Sequence, residues 1–483
     1  MKKSFTVLSI ASFFITLVII VTVSWIDRVF RIELPFAAFV HTLMLPINLD
    51  HVDPSITASF YRRIILIVSV MGVYCAILFL LYRLKKPKIL SGLLFINFLL
   101  FTGTIIYVQY TFSVVQYFMS SSETTTMYDD HYVAVNPQDI IFPDPKKNVI
   151  LLVMESTENT FNNEDIFGEK LMPKLWSLQQ KYPAFFDQLP SSRDGWTFAA
   201  LVNYLFGMPL SSPVPGNKNI LGAILPGAVS LLEVFEQNGY EVDFVLGSSG
   251  NFAGMNIMFS SHLKSPNIYD RWYFEKHDPK AVAARRENKV TKWGWGLPDS
   301  YFYNWLKSHL SEKDPNQPFF MVAMTINSHA PGEFEQTIPA RYNDYRDVVA
   351  EADTMAGEFI DWVMAQEFAE NTTIIIAGDH PVMTNDIGPF NLDGYSERHP
   401  LNVFINAPEY LGRPEMRRQF ASFDLAPTII ESAGATLPNR RFGLGVSLFA
   451  IDQKTLFEDK GLDYYNEEVG KSSALYERFL LGQ

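Results

Sequence analysis

Asn148-Val-Ile-Leu-Leu-Val-Met154 is an unbroken apolar run that stops at Glu155, and Thr372-Thr-Ile-Ile-Ile-Ala377 is a second that stops at Gly378-Asp379-His380. Short apolar runs bounded by polar turns suit the central strands of a parallel sheet, which are buried on both faces. Open α/β sheets gather ligand chemistry at the carboxyl ends of such strands. Glu155, Asp379 and His380 are therefore expected to converge on one metal ion, although they are distant in the chain.

Strands are expected at 149–154, 242–246, 319–326, 373–377 and 402–405. Helical patterns lie between and after them at 172–182, 196–206, 230–238, 299–310, 345–365 and 424–433. This alternation predicts an α/β fold with a mostly parallel central sheet covered by helices on both faces.

Ahead of this region the composition changes. Residues 1–119 are mostly apolar, with stretches at 5–26, 64–82 and 89–119 long enough to cross a bilayer, which takes about 20 apolar residues. The first exceeds the apolar core of a cleaved signal, so an anchor is expected. Residues 34–47, bracketed by Pro35 and Pro46, suit an interfacial or re-entrant segment. Lys2, Lys3 and Arg83-Leu-Lys-Lys-Pro-Lys88 mark the cytoplasmic side, whereas residues 120–139 carry no Lys or Arg, which points the following domain outward. Arg28, Arg31, Arg62 and Arg63 run against that contrast. The expected organisation is a transmembrane region at 1–119, a linker at 120–145, a catalytic domain at 146–452 and a tail at 453–483. The single cysteine, Cys75, falls in the second stretch, so the outer domain has no disulfide and must rest on its own core. A net charge of −13 argues against nucleic acid as a partner, since phosphate binding needs a basic surface.

Each candidate residue has a plain reading beside a chemical one. Glu155 is a metal ligand or a solvated capping carboxylate. Asp379 and His380 offer a hard oxygen and a borderline nitrogen to one divalent cation, or Asp379 caps the next segment. Thr197, in Asp194-Gly-Trp-Thr-Phe198, opens a helical pattern where backbone N–H groups and the helix dipole favour an anion. It is a nucleophile if a metal lowers its pKa, and otherwise a cap. His329, in Thr325-Ile-Asn-Ser-His329, stands at a strand end on the same sheet edge, as a functional or a hydrogen-bonded structural group. His399 precedes another strand, and Arg398 beside it could bind an anionic oxygen.

These residues resemble the membrane-bound phosphoglycerol transferases of the alkaline phosphatase and sulfatase superfamily, which include lipoteichoic acid synthases and glucan-modifying enzymes. The likeness rests on Asn148 to Phe161, on Gly195-Trp-Thr-Phe-Ala-Ala-Leu-Val202 with Gly207-Met-Pro-Leu210, and on Ser328-His-Ala-Pro331 and Ala377-Gly-Asp-His380. Asn251-Phe-Ala-Gly254 with Ser261-His262, Trp293 to Asp299, and Phe423 to Ile429 extend it. The segment around Trp196 and Thr197 is most similar to the glucan-modifying branch. The resemblance implies a sulfatase-like catalytic domain in which Glu155, Thr197, Asp379 and His380 bind the metal, with Thr197 also the nucleophile. It gives His329 a catalytic role, contacting the substrate phosphate or moving protons, and Arg398, His399, Trp196 and Asn251 are expected beside it as substrate contacts. The expected cofactor is one divalent metal, Mn²⁺ ahead of Mg²⁺ or Zn²⁺. The expected partners are the membrane, a phosphatidylglycerol donor and a glycan or polyol-phosphate acceptor. The implied location is the bacterial cytoplasmic membrane, multi-pass, with the catalytic domain outside.

Other readings are a phosphoethanolamine transferase, a phosphodiesterase, a sulfatase, or a membrane-tethered binding protein without turnover. A sulfatase needs Cys/Ser-x-Pro-x-Arg, which is absent around Ser191 and Ser192. Phosphoethanolamine transferases usually carry outer disulfides.

Overall fold

A computed structural model of the chain describes residues 2–30, 54–112, 114–120, 122–191, 195–211, 223–287, 296–392, 395, 398–412 and 417–482. Two compact units divide it, a helical one ending at Met119 and a large one running from Ser120 to Gln483. The helical unit contains Lys2–Phe30, Pro54–Arg83 and Pro87–Phe112. Its helices meet through the Phe13–Tyr74 ring stack and an Asn97 Nδ2 bond to Ser12 Oγ of 2.9 Å. Tyr61–Arg83 and Pro87–Tyr110 are long and apolar enough to cross a membrane, and Ile10–Ser24 is a shorter apolar stretch. Large apolar side chains such as Ile65, Val68, Phe79, Phe95 and Phe98 are exposed along these helices. The third expected stretch is shorter than read. Its helix ends at Phe112, and Val114–Ser120 forms a separate one, with Gln109 Oε1 accepting the Val115 N–H. Residues 34–47 lie outside the described residues.

In the large unit the sheet order is β3-β2-β4-β1-β5-β8, with β1 at Asn148–Met154, β2 at Glu241–Leu246, β3 at Asn267–Tyr269, β4 at Phe319–Met324, β5 at Thr372–Gly378 and β8 at Asn402–Ile405. The short strands β6 (Asp386–Ile387) and β7 (Phe390–Asn391) pair with each other, as do β9 (Arg441–Phe442) and β10 (Gly445–Val446). β1 sits at the centre, parallel to β4 on one side and β5 on the other. Every residue from Val149 to Met154 is fully buried, as an unbroken apolar run requires of a strand covered on both faces.

Ile150, Leu152 and Met154 join the core that Leu175, Phe302, Leu306 and Phe359 fill from the helices Pro173–Lys181, Asp299–Ser311 and Tyr345–Met364. On the opposite face Phe320 stacks on Phe235 of the helix Leu231–Gln237, and Phe244 on Phe259 of the helix Met255–His262. Two departures from the expected sheet concern its edges. β8 is antiparallel to β5, so the sheet is mixed, and β3 forms from Asn267-Ile-Tyr269, which has too few residues to show a period. β4 also ends at Met324, two residues earlier than expected.

Residues 122–145 pair with the end of the chain through Thr124–Ser472, Val133–Gly443 and Ile141–Thr436. Met127 and Tyr128 are buried there, as are Tyr465, Val469 and Tyr476 near the C-terminus.

Candidate active site

Three adjacent strands, β4, β1 and β5, deliver the segments that follow them to one edge of the sheet. Glu155 follows β1, and its backbone is fixed by the strand-end hydroxyls of its neighbours. Its N–H donates to Thr325 Oγ1 at 3.1 Å, and its carbonyl accepts from Ser328 Oγ at 2.6 Å. Its carboxylate accepts from Ser156 Oγ at 2.6 Å and from Thr197 Oγ1 at 3.3 Å.

Asp379 and His380 follow β5 through Gly378, whose backbone passes so close to the β1 exit that an added Cβ would lie 1.8 Å from the Thr157 carbonyl oxygen. Only glycine allows that approach. Asp379 Oδ1 accepts N–H bonds from Ser156 (2.7 Å) and His380 (2.8 Å), and so stitches the two strand exits together.

Thr197 comes from the other direction, as first residue of the fully buried helix Thr197–Phe206. Trp196 stands at the N-cap position in extended backbone, and its own side chain makes no capping bond. The N–H groups there face the end where Thr197 sits. Tyr204, two turns on, donates its hydroxyl to the Gly378 carbonyl at 2.5 Å and ties this helix to the β5 exit.

At the centre, His380 Nε2 lies 3.2 Å from Asp379 Oδ2, 3.3 Å from Thr197 Oγ1 and 3.7 Å from Glu155 Oε1. His380 Nδ1 donates to the Pro381 carbonyl at 2.8 Å, so the neutral ring points the Nε2 lone pair inward. Asp379 Oδ2 is buried and has no hydrogen-bond donor among the described residues. Oxygens and a nitrogen lone pair thus converge with few protons to share. Burial would lower the His380 pKa, but the carboxylates of Asp379 and Glu155 outweigh it and raise it. Burial first, then the Glu155 carboxylate, raises that of Asp379. Excess negative charge of this kind is relieved by a cation, and ligand atoms of Glu155, Asp379 and His380 all lie within 4.8 Å of one another. The residues fit a divalent metal.

His329 donates from Nδ1 to the Ala330 carbonyl at 3.0 Å, which leaves Nε2 as the basic atom of the neutral ring. Burial, and then the nearby His380, pull its pKa down to about 4.

Other expected contacts are engaged elsewhere. The Arg398 guanidinium donates to Glu158, Asn385 Oδ1 and the Val382 carbonyl, and so braces the protein around the segment after His380. Asn251 Oδ1, in the loop beyond β2, accepts from Asn256 Nδ2 in the first turn of the helix Met255–His262. His399 donates Nδ1 to the Gln188 carbonyl at 2.9 Å. Trp196 is buried with its ring 5.8 Å from Phe198. Ser156, Glu158, Tyr204, Thr325 and Ser328 were not singled out from sequence. The hydroxyl-rich exits Glu155-Ser-Thr-Glu158 and Thr325-Ile-Asn-Ser328 were the available signal.

The cluster is a candidate metal centre at the edge of a mixed six-stranded α/β sheet. Residues 147–435 match the Sulfatase family model, and the chain belongs to that family. Phosphoglycerol transferase I of Xanthomonas campestris pv. campestris (strain B100) is 26% identical over 355 residues, covering 69% of this chain and 48% of that protein. Phosphoglycerol transferase I of Salmonella paratyphi B is 26% identical over 254 residues, 50% of this chain and 32% of the other. The chain therefore spans about half the length, or less, of these curated relatives. Among solved structures, the lipoteichoic acid synthase LtaP from Listeria monocytogenes aligns with a TM-score of 0.47 at 18% identity, over 68% of this chain and 81% of that one.

Proposed function

We propose that the chain is a membrane-anchored phosphotransferase that moves phosphoglycerol from phosphatidylglycerol to an acceptor hydroxyl on a glycan or glycerol phosphate polymer. The observation that carries this reading is the Thr197 hydroxyl, 3.3 Å from both His380 Nε2 and Glu155 Oε2 at the N-terminus of its helix. The kinship with phosphoglycerol transferase I supports the choice of transferred group. Glu155, Asp379, His380 and Thr197 would hold a divalent cation, Mn²⁺ by our reading. Such a cation supplies Lewis acidity that lowers the hydroxyl pKa and offsets phosphoryl charge.

In the first step Thr197 Oγ1 bonds to phosphorus as the diacylglycerol oxygen leaves, and the threonine proton passes through His329 Nε2 to the departing alkoxide. In the second step the acceptor oxygen displaces Thr197 Oγ1, and its proton returns to the threonine by the same nitrogen. A low His329 pKa suits a relay that passes protons on without storing them. The first-turn N–H groups of the Thr197 helix orient the phosphoryl oxygens. Anchoring residues 1–119 in the cytoplasmic membrane, with the domain at 146–452 outside, keeps this chemistry beside a lipid donor.

The test is diacylglycerol release from fluorescent phosphatidylglycerol by the purified chain in detergent with Mn²⁺. Wild type should release it and Thr197→Ala should not. Release from phosphatidylethanolamine alone would move the donor to another lipid, and equal release by Thr197→Ala would remove the nucleophile.

A further inference from the structure

Beside the cluster lies a buried ion pair that none of the proposed steps uses. Glu158 is fully buried, three residues beyond Glu155, and Arg398 binds it in bidentate fashion, Nε to Oε2 at 3.0 Å and Nη2 to Oε1 at 2.5 Å. Arg398 Nη2 also donates to the Val382 carbonyl at 2.6 Å, and Nη1 to Asn385 Oδ1 at 2.9 Å. Glu158 Oε1 in turn accepts the Val382 N–H at 3.1 Å. The pair therefore grips both sides of Val382, two residues past His380, from the segment that carries Glu155.

Backbone bonds close the same junction. Leu401 donates to the Thr157 carbonyl at 3.1 Å, Gly378 to the Leu401 carbonyl at 2.7 Å, and Asn159 to the His399 carbonyl at 2.8 Å. Three segments with no covalent link near one another, those leaving β1 and β5 and that entering β8, are joined where Arg398 meets Glu158. A buried charge pair is costly unless its hydrogen bonds are well made, and here four of the five guanidinium N–H donors have protein acceptors.

From this geometry we infer that Glu158 and Arg398 are positioning residues, which set the distance between Glu155 and the Asp379-His380 pair and thereby pre-shape the cation site. The inference rests on the metal reading above. Outer partners of this kind change metal affinity by about 10-fold to 100-fold when lost. Lys cannot reproduce the bidentate fork, so Arg398→Lys keeps the charge and removes the geometry.

The experiment is isothermal titration of the full chain in detergent with Mn²⁺ alone, with thermal unfolding of each metal-free variant as the fold control. Arg398→Lys should weaken Mn²⁺ binding at least about 10-fold, the loss expected when an outer partner of a metal ligand is removed, and Glu158→Gln should do the same. Arg440→Lys breaks a similar bidentate pair with Glu431. It is the comparison variant and should leave Mn²⁺ binding unchanged. If Arg398→Lys unfolds, Asn385→Ala removes one Arg398 bond more gently and should still weaken the metal. Mn²⁺ affinity within twofold of wild type in the folded variants overturns the inference while the metal reading stands. A wild-type chain that takes up no Mn²⁺ overturns both.

Discussion

Replacing Gly378 with alanine tests the closest backbone approach in the site. The new Cβ would sit 1.8 Å from the Thr157 oxygen and 3.2 Å from the Leu401 nitrogen. Ordinary contact needs more than about 3 Å, so the β1 and β5 exits must separate by over about 1 Å, an overpacking cost of about 1–3 kcal/mol. The same shift strains three short bonds, Gly378 N to Leu401 O (2.7 Å), Leu401 N to Thr157 O (3.1 Å) and Ser156 N to Asp379 Oδ1 (2.7 Å). At about 1 kcal/mol each for net contribution, losing two of them brings the total to about 3–5 kcal/mol. A displacement near 1 Å at reacting groups also costs about 100-fold in rate. Urea unfolding of the full chain in detergent, paired with diacylglycerol release, measures both quantities. A Gly378→Ala protein within about 1 kcal/mol of wild type and equally active would refute the claim that this contact shapes the site.

Glu333 is buried with both carboxylate oxygens unpartnered among the described residues, and burial, followed by repulsion from Glu335, raises its pKa from 4.5 to about 7. Because the folded state holds this proton more tightly than the unfolded state, its contribution is present below pH 4.5 and lost as pH rises through about 7. Glu333→Gln should match wild type near pH 4.5 and exceed it at pH 8 by up to about 3 kcal/mol, or about 4 °C in melting midpoint for a unit of this size. Equal midpoints at pH 8 would contradict that assignment. Removing divalent metal with a chelator should lower the midpoint by a few degrees, since ligand at about 100-fold over its Kd stabilises by about 3 kcal/mol. Asp379→Ala should abolish that metal response in the same melting assay. Tyr204→Phe removes the hydroxyl bonded to the Gly378 carbonyl and should destabilise by about 1–2 kcal/mol in urea titration. No change in that titration would mean that the bond contributes nothing.

The central strands and the residues that end them are legible from the chain alone. Asn148–Met154 and Thr372–Gly378 are visible because a strand buried on both faces needs an unbroken apolar run, and a polar residue at its end is conspicuous. Glu155, Asp379 and His380 were legible for the same reason, and Thr197 because a helical pattern starts there. The edges were not. β3 spans three half-buried residues, and the antiparallel sense of β8 depends on a return path that no local pattern encodes.

Arg398 shows the limit most plainly. In sequence an arginine beside a histidine is a candidate anion ligand, and only the tertiary structure brings the buried Glu158 carboxylate against it from 240 residues away. Side-chain type sets which partners a group can take, but the partner that claims it depends on which segments the sheet order brings side by side. The parallel pairing of β1 with β5 decided that Gly378 must be glycine, that Asp379 should bind the Ser156 N–H, and that the charges of Glu155, Asp379 and His380 should meet in one buried place.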